Sequence, residues 1–128
     1  MNQSDPPALA GTVTTPEQPA VYDASVLVAM FGSETAVIAS VMQTFMAATR
    51  SGLDELSQAF ASGDLAAVAS VAHRITGASR MSGAYALGHA ARGAEQSAQQ
   101  GDVNAVQQAI VALDVQWLLL QTAIATQQ

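Results

Sequence analysis

Few residues in this sequence can do chemistry, and their types narrow the choice quickly. The 128-residue chain has two histidines, His73 and His89, no cysteine, and four basic residues, all arginine: Arg50, Arg74, Arg80 and Arg92. Without cysteine there is no thiolate nucleophile, no disulfide and no sulfur metal site, and the composition fits a reducing cytoplasm. No serine or threonine sits in a Gly-x-Ser-x-Gly elbow. The stretch Gly77-Ala78-Ser79-Arg80-Met81-Ser82-Gly83 lacks the lysine and the preceding strand that a phosphate loop needs. The two histidines fall on different helices with no acidic residue at ligand spacing, so a zinc site is not expected.

His73 is the informative residue. The apolar stripe of its helix runs through Ala72 and Ile75, which turns His73 outward. Steps of three, four and seven residues put Thr76, Gly77 and Arg80 on that same outward face. A glycine inside a helix costs about 1 kcal/mol relative to alanine. An alanine-rich chain that places Gly77 one turn from an exposed histidine therefore leaves room for something to approach the ring. Arg74 and Arg80 flank it and Arg92 lies on the next helix, a positive spot in a chain of net charge −6. A phosphoryl group on imidazole would bring close to two negative charges, which guanidinium groups stabilise. Taken singly, each feature has a plainer reading: a surface histidine, and a glycine where two helices touch.

The elements that must hold these residues are helical. Half the residues are apolar and 11% are charged, with alanine prominent and aromatics few. That suits close helix packing, and no alternating runs of β-branched residues suggest strands. The net charge and a pI near 4.4 argue against nucleic acid as a partner. No apolar run is read as approaching the ~20 residues of a membrane span, and no signal peptide is read at the N-terminus. Residues 1–20 hold all four prolines and too little apolar surface to fold, which predicts a disordered linker or tail. A linker there would fit a module belonging to a longer protein.

Residues 21–128 read as one domain. Asp23 caps a short helix through Leu27, Met30 and Phe31 that stops at Gly32, and Ser33 is the next candidate cap. Ile38, Met42, Phe45, Thr49, Leu53, Leu56 and Phe60 then predict a long helix with a possible bend at Ser51-Gly52. Asp64 caps a helix striped by Leu65, Val68, Ala72, Ile75 and Ser79; after Gly83 comes a small-faced helix through Leu87, Ala91 and Ala94. Asp102 caps the last, whose stripe is Val103, Val106, Ile110, Leu113, Trp117, Leu120 and Ile124. Short turns make neighbours antiparallel, so the predicted fold is an all-α, up-down four-helix bundle with a short additional N-terminal helix. Trp117 is expected in the core, and His89 in solvent.

The run Ala72-His73-Arg74-Ile75-Thr76-Gly77-Ala78-Ser79-Arg80-Met81-Ser82-Gly83-Ala84 resembles the signature of histidine-phosphotransfer (HPt) domains. The histidine, the glycine four residues on, the small residues after it and the Gly-Ala pair fall at the family spacing. Leu87 and Glu95 match its leucine and acidic residue on the following helix, and the Gly63-Asp64 and Gly101-Asp102 turns match its helix breaks. The resemblance covers about residues 22–125.

The resemblance implies a phosphorelay module. His73 would accept a phosphoryl group from a receiver-domain aspartate and pass it to a response-regulator aspartate, with no kinase activity of its own. No cofactor would be bound here, Mg²⁺ belonging to the receiver. It further implies receiver domains as partners, a cytoplasmic setting, a monomeric isolated domain without membrane insertion, and a place at the C-terminal end of a hybrid sensor kinase. Glu95 would approach and orient the imidazole, and the short N-terminal helix would help dock receivers or merely cover the bundle end. Two departures stand out. Thr76 occupies the position of the family lysine, so Arg80, with Arg74, is expected to take over its electrostatic role. Ser82 replaces an apolar residue, and Met81 is expected to fill that space. The lost lysine leaves a second function open, a degenerate domain that docks receivers without carrying phosphate.

Overall fold

The computed structural model describes residues 19–126, and within them the chain is helical with no strand. Five helices follow in order: α1 (Ser25–Phe31), α2 (Thr35–Ala61), α3 (Leu65–Ser82), α4 (Tyr85–Gln99) and α5 (Val103–Thr126). The expected linker, residues 1–20, lies outside the described residues except for its last two positions. There Ala20 is tied to the fold, its carbonyl accepting a hydrogen bond from the Ala86 N–H at 2.8 Å.

Polar caps and left-handed glycines set the helix boundaries. Asp64 accepts from the Ala67 N–H at 3.0 Å and Asp102 from the Ala105 N–H at 3.1 Å, each satisfying a donor the first helical turn leaves free. Gly63, Gly83 and Gly101 take φ between 72° and 86°, a conformation that glycine adopts at low cost. Ser33 does not cap α2: Glu34 holds that position, and no side chain bonds there. Asp23 spends its carboxylate on Ser25, whose hydroxyl and N–H both donate to it and hold its pKa below the usual carboxylate range. The Asp23 N–H in turn donates to the Gly83 carbonyl at 2.8 Å, which pins the lead-in to α1 over the α3–α4 turn.

Each long helix packs on the next in sequence, most extensively α3 on α4 and α4 on α5. The core comprises Met42, Phe45, Leu53 and Leu56 of α2, Val68, Ala72 and Ile75 of α3, Leu87, Ala91 and Ala94 of α4, and Val106, Leu113 and Leu120 of α5. The repeat of three and four residues that predicted these helices selects their buried faces as well. Three expectations need correction. α2 runs unbroken through Ser51-Gly52, where a side chain at Gly52 would come within 3.3 Å of Ile75 Cγ1; the glycine marks a close approach of helices, not a break. Trp117 is half-buried at the margin of the core, because α5 turns its deepest line through Leu113 and Leu120, one turn to either side. Finally, α5 is long and apolar enough by length and composition to cross a membrane. Its glutamines and Asp114 broke up the apolar run in the sequence, and the face carrying Val106, Leu113 and Leu120 is fully covered by protein.

Candidate functional site

α3 carries the site, and its two neighbours define two flanks. His73 stands on the outer surface with 76% of its side chain exposed. Toward α4, its Nδ1 lies 3.0 Å from Oε2 of Glu95, a carboxylate only 15% exposed. A carboxylate can only accept, so Nδ1 carries the hydrogen, and in the neutral ring the lone pair is then on Nε2. α4 brings Glu95 within reach because two turns earlier it has Gly88, where a Cβ would lie 3.2 Å from the Ser79 Cβ. A larger residue would hold the two helices apart and stretch the bond to the imidazole.

Toward α2, the contacts are of another kind. Arg74 donates from Nη2 to Oε1 of Glu55 at 2.8 Å, with 60% and 56% of the two side chains exposed. This pair bridges α2 and α3 across the surface and takes the Arg74 guanidinium to the side of α3 away from Glu95.

The remaining residues expected at the site divide. Gly77 is open, with nothing within 4 Å of where a Cβ would stand, so the approach to the ring along α3 is clear. Arg80 is exposed two turns from His73. Thr76 is not on the outward face. It is 5% exposed, and its hydroxyl donates to the Ala72 carbonyl at 2.9 Å. Its position lies 60° around the helix from His73 on the α4 side, and α4 covers it. Met81 does not fill the space left by Ser82: Ser82 is itself buried, whereas Met81 is 69% exposed. Met81 instead borders an apolar groove of about 430 Å³ with Leu27, Met30, Phe31, Val41 and Ala78. His89 is exposed, as expected.

Sequence reasoning missed Glu55 as the partner of Arg74, and Gly88. Gly88 did leave a signal, since it falls seven residues before Glu95 and so on the same face of α4.

A family model for the Hpt domain matches residues 40–126. The chain belongs to the Hpt family. No curated protein and no solved structure matches it. Hpt domains are histidine-phosphotransfer modules of two-component phosphorelays and interact with receiver domains. The matched span starts within α2 and contains His73, Glu95, Gly77 and Gly88, while α1 and its side of the apolar groove lie outside it.

Proposed function

We propose that this Hpt domain carries phosphate on His73, accepting it from the aspartyl phosphate of one receiver domain and delivering it to the aspartate of a response regulator. The observation that carries the reading is the outward imidazole whose Nδ1 is held by Glu95 beside the open surface at Gly77. Nε2 of the neutral ring attacks phosphorus; the N–P bond forms as the bond to the receiver's carboxylate oxygen breaks, and the carboxylate leaves with the electron pair. The Nδ1 proton stays in place, and Glu95 stabilises the positive charge that the ring acquires. Reversal of the same step on a second receiver completes the relay. Arg80 contributes positive charge from the outer edge of α3, while Arg74, tied to Glu55, acts only through its longer-range field.

The finer points of the reading are consistent with this chemistry. The four long helices make an antiparallel up-down bundle with α1 across one end, and the groove between α1, α2 and the C-terminal part of α3 receives a helix of the receiver. The domain binds no cofactor, Mg²⁺ being supplied by the receiver, has no kinase activity, and works in the cytoplasm as a monomeric module at the C-terminal end of a hybrid sensor kinase.

One observation favours a second reading. The family lysine is replaced by a buried threonine, which fits a domain that docks receivers without accepting phosphate. Incubation with a phosphorylated receiver separates the two. Wild type is expected to gain an acid-labile, base-stable phosphate that His73→Gln lacks. Binding of receivers with no label on either protein would establish the docking reading instead.

A further inference from the structure

The α3–α4 register bears on the missing lysine. His73 meets Glu95, and the Cγ of Arg80 would lie 3.7 Å from a Cβ on Gly88. Three residues on from His73 along α3 is Thr76; three residues back from Glu95 along antiparallel α4 is Arg92. Four residues further along each helix, Gly88 lies against Ser79 and Arg80, which keeps this register to within one residue. Arg92 therefore stands level with Thr76, on the face of α4 that borders the outer edge of α3. Its neighbour Ala91 fills the interior at 0% exposure, and Arg92 is exposed. Among the described residues Arg92 makes no ion pair, whereas the Arg74 guanidinium is occupied by Glu55.

From this placement we infer that Arg92, on α4, supplies the phosphate-binding charge that the position of Thr76 on α3 does not, contacting the phosphoryl oxygens on Nε2 of His73. The inference rests on His73 being the phosphoacceptor. Distances along the helices support the choice among the arginines. Thr76 is about 4.5 Å along the axis from His73 and Arg80 about 10.5 Å, so Arg92 sits at the nearer level. A cationic side chain there would offer N–H donors and positive charge to the phosphoryl oxygens. Glu95 and Arg92 are one turn apart on α4 and so divide the work, one on the ring proton and the other on the transferred group.

The test needs no cognate receiver. Potassium phosphoramidate phosphorylates imidazole directly: its P–N bond breaks, ammonia leaves with the electron pair, and Nε2 takes the phosphoryl group. Labelling of the full chain is followed by ³¹P NMR at low salt and in 0.5 M KCl. Arg92→Ala is expected to slow labelling of His73 about threefold to tenfold at low salt, with Arg92→Lys within about twofold of wild type. The gap is expected to narrow at high salt, as screening demands and as a packing defect would not. Arg92→Ala labelling at the wild-type rate, or Arg92→Lys as slow as Arg92→Ala, would overturn the role of Arg92 while leaving His73 as acceptor. Absence of label on wild type, or equal label on His73→Gln, would overturn the acceptor reading itself.

Discussion

The two flanks of α3 use the same kinds of residue to different ends. On the α2 side, an arginine and a glutamate meet with both side chains more than half exposed, and water screens most of what they gain. On the α4 side, a glutamate 15% exposed meets a histidine, and two turns away the same two helices approach closely at Gly88 and Ser79. A partly desolvated carboxylate acts on its neighbour far more strongly than a hydrated one. Helix spacing, set by Gly88, separates an interaction that can orient a nucleophile from one that decorates the surface.

Changes on the two flanks should therefore differ in size and kind. The largest effect is expected from Gly88→Val, which puts branched carbon against Ser79 and forces α3 and α4 apart. Thermal or urea unfolding should show a loss of about 2–3 kcal/mol, with phosphorylation of His73 impaired even where the protein remains folded. Glu95→Ala comes next. It should reduce the rate of phosphorylation about tenfold, worth about 1.4 kcal/mol, with receiver binding unchanged. If that variant transferred at the wild-type rate, the α4 flank would be no more functional than the other. The smallest effect belongs to Glu55→Gln, expected to alter stability by less than about 0.5 kcal/mol and the transfer rate not measurably. A large loss of transfer there would show that Arg74 depends on Glu55 for a role at the site.

Much of this was legible in the sequence. The glycine-aspartate pairs at residues 63–64 and 101–102 gave the helix boundaries because turn and cap chemistry is local. The apolar spacing gave the buried faces, and the signature around His73 gave the family. What was not legible depends on where the neighbouring helix lies. Thr76 and His73 are 60° apart on one helical wheel, and only the position of α4 decides that one is covered and the other open. Met81 and Ser82 are adjacent in sequence, and the direction of α1 and α2 exposes the larger of them. Arg74 was placed by its proximity along α3, and a helical wheel does not show Glu55 across from it. Arg92 was visible as a charge, yet its level against His73 follows only from the register between two helices.

Gly52 and Gly88 lie on opposite sides of α3, where a Cβ on either would come within 3.3 Å of Ile75 and 3.2 Å of Ser79 respectively. To slide by one turn, about 5.4 Å, α3 would have to lift both side chains out of their seats together. The helix is keyed on both sides, like a bar between two stops. Under the proposed function, such a domain has no gear to shift and meets each successive receiver in one shape. On that reading, throughput would be governed by how often receivers arrive and how long the N–P bond on His73 lasts between them.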